Sequence, residues 1–217
     1  MLPYSAKQAG KHLLQALLTR RLFVWKARPR RPSIALTFDD GPDPVHTPAV
    51  LDILATHGVR ATFFLVGKHA YAHQHLARRI VAEGHQIANH TWSHRRLDGQ
   101  GYQVVGEELD STRDFLATIA GAPTRLYRPP RGEISARLLS YTATLGYTTV
   151  LWTESFGDDL RNGTKPITSR FESANLGPGG IVLLHDNNAH TVDALEPLLR
   201  HLKQRNLRAE TLSELLD

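Results

Sequence analysis

The sequence predicts an α/β fold, a distorted (β/α)7-8 barrel with parallel strands and an active site at the C-terminal ends of those strands. From residue 33 onward, short apolar or β-branched runs alternate with helical patterns. Such alternation requires a parallel sheet with helical crossovers, and about seven repeats are enough to close that sheet into a barrel. Polar side chains also follow several predicted strands, where barrel enzymes place their active sites. An open, doubly wound sheet is the alternative architecture.

The predicted elements follow one another in a regular order. Runs rich in Ile, Val, Phe and Thr indicate strands, and a glycine follows most of the helical patterns. The predicted strands are 34–38, 61–66, 85–89, 126–128, 147–152, 181–185 and 207–209. The predicted helices are 48–57, 75–83, 107–119, 135–146, 192–205 and 211–216, with Ser135 as the N-cap of the fourth.

The composition excludes several classes of protein. The 217 residues include no cysteine, which excludes disulfide scaffolds, thiolate zinc sites and thiol nucleophiles. No apolar run approaches the ~20 residues that a membrane-spanning helix needs. Twelve histidines remain for metal binding or acid–base chemistry.

Basic residues are concentrated at the N-terminus. Residues 1–31 contain eight Lys or Arg and no acidic residue, which leaves 18 basic against 21 acidic residues in the rest of the chain. We therefore predict a basic amphipathic segment and linker at residues 1–32, followed by one domain at residues 33–217. Leucines recur at helical spacing in the segment: Leu13, Leu14, Leu17, Leu18 and Leu22.

The basic segment has more than one explanation. A helix packed against the domain would keep its basic face in solvent, whereas residues 7–25 could instead lie on an anionic membrane surface. We expect no nucleic-acid partner. The segment lacks the apolar stretch and the small-residue cleavage site of a signal peptide, so we expect a protein that is cytoplasmic or peripheral at the membrane.

Polar and ionisable residues fall at the predicted carboxyl ends of five strands. They are Asp39 and Asp40, Asn89 and His90, Arg128, Trp152, and His185 with Asp186. Any one of them alone could be a helix cap, a turn former or a surface residue. In a parallel barrel, however, all of these ends meet on one face. Their joint placement therefore favours a single pocket with an active site.

His90 and His94 have the spacing of a metal-binding pair. If this stretch turns helically, positions i and i+4 place both imidazoles on one face. A carboxylate from Asp39 or Asp40 would complete a set of three metal ligands, two histidines and one acid. Such a set leaves coordination positions on the metal open for water and substrate. The other aspartate could then take a proton from the bound water, because strand alternation directs the two side chains apart.

Five motifs resemble those of the polysaccharide deacetylases, also called the NodB homology domain or carbohydrate esterase family 4. They are TFDDGP at residues 37–42, HTWSH at 90–94, RPPRG at 128–132, the stretch 152–158, and IVLLHD at 181–186. The resemblance extends from about residue 33 to the C-terminus, with the motifs in the family's order. It implies a distorted barrel and a metal-dependent hydrolase that removes N-acetyl groups from N-acetylglucosamine-type sugars in a poly- or oligosaccharide.

The resemblance also implies roles for individual residues. Asp39 matches the general base and Arg128 the arginine that holds it, while His185 matches the general acid and Asp158 the acid paired with that histidine. Asp40, His90 and His94 match the ligands of one divalent metal ion, which we expect to be zinc, with cobalt, nickel or manganese as alternatives. Trp152 and Leu183 match the walls of the pocket for the acetyl methyl group, with Pro130 and Arg131 as further substrate-binding residues.

Two positions depart from the family pattern. Arg131 and Asp159 stand where family members usually have aromatic residues, so the substrate groove has less surface for sugar stacking. We therefore expect a short or charged substrate, or one presented at a membrane.

Other functions remain as alternatives. One is a catalytically silent carbohydrate-binding domain, and another is an amidase that acts on a small non-sugar substrate. A non-haem iron oxygenase would use the same two histidines and one carboxylate. Such oxygenases usually have antiparallel β scaffolds, so the strand–helix alternation disfavours this class.

Overall fold

The computed structural model describes residues 10, 11, 13, 22–158, 167–174 and 176–217. Nine strands form one sheet there: β1 (Phe23–Val24), β2 (Ser33–Asp39), β3 (Thr62–Leu65), β4 (Gln86–Asn89), β5 (Leu126–Tyr127), β6 (Thr148–Val150), β7 (Glu154–Ser155), β8 (Ile181–His185) and β9 (Arg208–Glu210). The described helices are α1 (His46–Thr56), α2 (Gly67–Ala72), α3 (Gln74–Ala82), α4 (Tyr102–Ala120), α5 (Ala136–Thr144), α6 (Ile167–Ser173), α7 (Ala189–Gln204) and α8 (Leu212–Leu216).

All pairs in the sheet are parallel, in the order β1-β6-β5-β4-β3-β2-β8-β7, and β9 pairs with the first half of β2. Strands β2 to β6 lie side by side in chain order, so the sheet is wound in one direction. A doubly wound sheet would reverse its order at a switch point. The predicted parallel barrel is therefore confirmed, and the doubly wound alternative is wrong.

The barrel is distorted where its two ends meet. Residues 151–153 connect β6 to β7 across the gap. The N–H of Leu151 donates to the carbonyl of Val24 in β1, and the N–H of Thr153 donates to the carbonyl of Ile181 in β8, both at 2.8 Å. A single extended stretch thus closes the ring.

Side chains alternate between the inside of the barrel and the layer of helices. In β2, Ile34, Leu36 and Phe38 pack against the helices, whereas Ala35 points into the barrel. The interior cluster contains residues from six strands and from α8, which fills the end opposite the carboxyl ends: Val24, Ala35, Phe64, Ala88, Val150, Ile181, Leu212 and Leu215. Because both faces of the strands are buried, the strands appear in the sequence as nearly continuous apolar runs.

Six of the described helices match the predicted ones with shifts at their ends. Ser135 is the N-cap of α5, where its Oγ accepts from the N–H of Leu138, as predicted. Helix α4 ends at Ala120 and is followed by Gly121, whose φ of 75° suits glycine, but it begins five residues before the predicted start. Helices α2 and α6 and the strands β1 and β7 were not predicted. No helix in the described part of the chain is both long and apolar enough to span a membrane.

The predicted domain boundary at residues 32 and 33 does not coincide with the packing. Strand β1 pairs with β6, and Phe23, Val24, Trp25 and Ala27 are at most 3% exposed. Val24 and Ala27 belong to the interior cluster, and Phe23 and Trp25 pack with Leu151 in a neighbouring cluster, so residues 23–27 are part of the packed domain. The predicted helix over residues 7–25 lies largely outside the described residues, including Leu14, Leu17 and Leu18.

Candidate active site

The predicted site residues meet at the carboxyl-end mouth of the barrel. Asp39 ends β2 and His185 ends β8, and the two are register partners on neighbouring strands. His90 follows β4, Arg128 follows β5 and Trp152 follows β6. Each lies on the inward face of its strand or strand end, like the residue two positions before it. The convergence expected from the sequence is therefore present.

Asp40, His90 and His94 form one cluster. Their candidate ligand atoms all lie within 4.8 Å of one another, and within the described residues they form the only such group of three. The Nε2 atoms of His90 and His94 lie 3.4 and 3.1 Å from Oδ1 of Asp40. Burial raises the pKa of Asp40, but the hydrogen bonds and charges of the two histidines outweigh burial and hold that pKa well below its usual value.

The backbone brings these three residues together in a way that the sequence analysis did not predict. Residues 90–94 form a loop and not a helical turn. Thr91 and His94 have positive φ angles of 67° and 56°, and Asp40 has one of 75°. Non-glycine residues adopt this left-handed conformation only where the surroundings hold it. His69, which the sequence analysis missed, provides part of that support, since its Nδ1 donates to the backbone carbonyl of Asp40 at 2.7 Å.

The cluster suits a divalent metal ion. Nδ1 of His90 donates to the backbone carbonyl of Arg128 at 2.8 Å, which leaves the lone pair on Nε2 directed at the cluster. Two imidazoles and an ionised carboxylate form a donor set typical of catalytic zinc sites.

Asp39 and Arg128 form a buried ion pair beside the cluster. Nη1 of Arg128 donates to Oδ1 of Asp39 at 2.7 Å and to the hydroxyl of Thr37 at 2.8 Å. The guanidinium also lies 4.1 Å from the centre of the Phe64 ring. Burial lowers the pKa of Arg128. Oδ2 of Asp39 is directed at His90, 3.7 Å from Nε2, so one oxygen is anchored and the other faces the cluster.

His185 and Asp158 form a second buried pair. Nδ1 of His185 lies 3.1 Å from Oδ1 of Asp158, and Oδ2 of Asp158 accepts from the backbone N–H of His185 and from the hydroxyl of Thr191, both at 2.6 Å. Burial lowers the pKa of His185, but the hydrogen bond and charge of Asp158, together with the charges of Asp39 and Asp40, raise it to about 9. His185 is therefore protonated near neutral pH.

The four predicted substrate-binding residues have different surroundings. Leu183 and Pro130 are buried, Trp152 is half-buried, and Arg131 is exposed in a short 3₁₀ turn with a φ of 61°. The Trp152 ring lies 5.7 Å from the Arg128 guanidinium. Asp159 lies outside the described residues.

One described residue of the N-terminal segment also reaches Trp152. Nζ of Lys11 donates to the Trp152 carbonyl at 2.9 Å and lies 5.2 Å from the centre of its ring.

Asp186 contributes to the site in a way that its position in the sequence did not reveal. Its carboxyl is fully buried and accepts from the hydroxyl of Thr47 at 2.5 Å. A Cβ on Gly41 would lie 2.2 Å from that carboxyl, so the turn after Asp40 packs directly on it. Burial and the charges of Asp40 and Asp39 raise the pKa of Asp186 to about 7, although the Thr47 hydrogen bond lowers it.

Several known proteins are similar to this chain in sequence and in fold. The sequence model of the family described as polysaccharide deacetylase matches residues 26–150. A peptidoglycan-N-acetylglucosamine deacetylase of Bacillus cereus is 35% identical over 199 residues, which cover 89% of this chain and 92% of the relative. A chitooligosaccharide deacetylase of Sinorhizobium fredii is 42% identical over 156 residues, or 71% of this chain and 72% of the relative.

A solved structure of a deacetylase is also similar to this chain. The crystal structure of the peptidoglycan N-acetylglucosamine deacetylase Bc1960, in complex with an N-hydroxybenzamide compound, superposes with a TM-score of 0.85 at 32% identity, and the match covers 93% of this chain and 95% of that one. The family model covers more than half of this chain, and both relatives exceed 30% identity over more than two thirds of it. The chain therefore belongs to the polysaccharide deacetylase family.

Proposed function

We propose that this protein is a metal-dependent hydrolase that removes the N-acetyl group from N-acetylglucosamine-type sugars of a peptidoglycan-like polymer or oligosaccharide. The observation that carries the proposal is the arrangement at the barrel mouth. The Asp40–His90–His94 cluster lies beside an anchored carboxylate, Asp39, whose register partner on the adjacent strand is the protonated imidazole of His185. Hydrolysis of an amide needs a base for water and an acid for the departing amine, and this site supplies both.

Asp40, His90 and His94 would hold the metal ion. When bound, a divalent ion there would polarise the amide carbonyl and lower the pKa of the attacking water. Zinc is the ion we expect, because two imidazoles and one carboxylate suit it.

Asp39 is proposed as the general base. Nη1 of Arg128, which also donates to the Thr37 hydroxyl, anchors Oδ1 of this carboxylate, so Oδ2 is the atom that takes the proton of the attacking water. Removal of that proton lets the water oxygen bond to the carbonyl carbon. A backbone N–H near Arg131 would donate to the resulting oxyanion.

His185 is proposed as the general acid. Its Nδ1 faces Asp158, so Nε2 is the atom that gives a proton to the amide nitrogen as the C–N bond breaks. Acetate and the free amine of the sugar are the products. The raised pKa of His185 keeps this proton available at neutral pH.

The substrate class follows from the rim of the site. Trp152 and Leu183 would enclose the acetyl methyl group, with Pro130 beside them. Arg131 offers an exposed positive charge where the resemblance leads us to expect an aromatic ring. We therefore propose that a sugar with an anionic neighbour is a better substrate than a long neutral chain.

Acetate release provides the test. Purified protein with zinc is assayed on N-acetylglucosamine oligosaccharides of three to five units and on peptidoglycan fragments, with mass spectrometry for loss of acetyl groups. We expect turnover of both, faster on the fragments and with little gain from each added neutral unit. A steep gain with each unit would contradict the short or charged substrate.

Two variants distinguish metal binding from catalysis. Asp39→Asn should keep its zinc but lose on the order of 10²- to 10⁴-fold in kcat, whereas His94→Ala should lose zinc as well. Sugar binding without any acetate release by the zinc-loaded wild type would instead support the silent carbohydrate-binding alternative.

A further inference from the structure

Glu108 is a buried carboxylate that lies outside all of the motifs. It is located in the middle of α4 and is 9% exposed. It forms no ion pair with any of the described basic residues. A buried carboxylate without a cation must be compensated by hydrogen bonds.

Both oxygens of Glu108 accept hydrogen bonds from a single residue. Oε2 accepts from the backbone N–H of Ser93 at 2.9 Å, and Oε1 accepts from the Ser93 hydroxyl at 2.7 Å. Ser93 directly precedes His94. Within the described part of the chain, the two bonds to Glu108 are the only hydrogen bonds that Ser93 makes. Glu108 thus binds the loop at Ser93, the residue next to the proposed metal ligand His94.

The loop needs such support because of its backbone. Thr91 and His94 both have positive φ angles, which persist only where surrounding contacts hold them. On the α2 side, the N–H groups of Gly67 and Lys68 donate to the carbonyls of Thr91 and Trp92. Those bonds fix the first half of the loop. Glu108 fixes the second half, which carries His94.

We infer that Glu108 is a positioning residue that holds His94 in the geometry required for metal binding. The inference rests on the proposed function, because it assumes that His94 is a ligand. An ionised carboxylate only accepts hydrogen bonds, so it can satisfy both donors of Ser93. Glutamine has nearly the same shape but carries no charge and has only one acceptor oxygen, so the Ser93 hydroxyl must turn to accept from its NH₂ group and both hydrogen bonds become weaker neutral ones. This weaker hold should let Ser93 and, with it, His94 move.

Zinc affinity measures this role directly. Metal-free full-length protein is titrated with zinc against a chelator, for the wild type, Glu108→Gln, Ser93→Ala and the double variant. We expect Glu108→Gln to weaken zinc binding by about 10-fold, as loss of an outer-shell partner typically does. Ser93→Ala should cause a smaller loss, because its backbone N–H remains. The double variant should bind zinc no more weakly than Glu108→Gln, since both changes break the same link.

Two further variants make the outcome decisive. Glu107 is the exposed neighbour of Glu108 and accepts from the Gln103 side chain, so Glu107→Gln should bind zinc like the wild type. If Glu108→Gln does not fold, the loss in Ser93→Ala carries the test. Wild-type affinity in Glu108→Gln, with a clear loss in His94→Ala, would overturn the positioning role alone. Wild-type affinity in His94→Ala would overturn the metal site and the positioning role together.

Discussion

The acid strength of His185 depends on its buried partner. Burial alone lowers its pKa, and Asp158 is the largest of the effects that raise it to about 9. Asp158→Asn removes the negative charge, so the pKa of His185 should fall. Because the proposed acid must be protonated, the basic limb of kcat/KM should lie near pH 9 in the wild type and at lower pH in Asp158→Asn. Rates measured from pH 6 to 10 test this, and an unmoved limb would mean that another group controls it.

Gly132 allows Trp152 to approach the turn at residues 130–132. A Cβ at Gly132 would lie 2.4 Å from Cη2 of Trp152, and the φ of Gly132 is 66°. Gly132→Ala should therefore push the indole away from the proposed acetyl pocket and lower kcat/KM by about tenfold, which corresponds to ~1.4 kcal/mol, with zinc affinity unchanged.

Gly121→Ala provides the matched control for the backbone effect. Gly121 has a φ of 75°, but its Cβ would have nothing within 4 Å. Both changes carry the cost of a non-glycine residue at positive φ, and only Gly132→Ala has the clash with Trp152. Equal activity losses in the two variants would contradict the role of that contact.

The first turn of α7 connects helix capping with catalysis. Oδ1 of Asn188, the N-cap, accepts from the N–H of Thr191, whose hydroxyl in turn donates to Asp158. Asn188→Ala should cost about 1 kcal/mol of stability and should also lower kcat, because Thr191 and Asp158 lose their alignment. Ser135→Ala removes the equivalent cap of α5. Denaturant unfolding of this variant should show a similar loss of stability, while its kcat should stay at the wild-type value. Unchanged kcat in Asn188→Ala would contradict this connection.

The sequence contains enough information for most of the fold because its strands and helices differ in pattern. Strands such as Ile181–His185 are buried on both faces, and helices such as Ala136–Thr144 carry a cap. The elements that were not predicted are short: strands β1 and β7 have two residues each, α2 has six and α6 has seven. Segments of this length are too short for periodicity to be read.

The candidate site was only partly predictable for a related reason. The strand ends place Asp39, His90 and His185 together whatever their local details. The conformation of the loop from His90 to His94 depends instead on positive φ angles and on Glu108, which follows Ser93 by 15 residues. No local pattern in the sequence reveals that pairing, and the helical turn on which the expected arrangement of His90 and His94 depended is absent.

The basic N-terminal segment gives the molecule an uneven charge, with eight basic and no acidic residues in the first 31. We predict that residues 7–25 attract the protein to anionic membranes, with ~1 kcal/mol from each basic residue near the surface. Sedimentation with anionic and neutral liposomes should show binding of the full chain to the anionic ones alone. A variant that begins at Leu22 should bind less, since it lacks Lys7, Lys11, Arg20 and Arg21. Equal binding of both forms would contradict a membrane role for the segment.

The contacts of β1 determine how far the chain can be shortened from its N-terminal end. Strand β1 pairs with β6, and the N–H of Ala27 donates to the carbonyl of Gly179 at 2.8 Å. A variant that begins at Pro32 lacks these bonds and the buried Phe23, Val24 and Trp25. Each buried apolar side chain of this size contributes roughly 1.5–3 kcal/mol, against a total stability of about 5–15 kcal/mol.

We therefore expect the Pro32 variant to unfold at much lower urea concentration than the full chain, or to fail to fold. The variant that begins at Leu22 retains β1 and is the matched control. Its midpoint should stay close to that of the full chain, because the bonds that close the barrel remain. Equal midpoints for the Pro32 and Leu22 variants would show that the barrel is stable without β1, and that residues 23–27 are dispensable despite their burial.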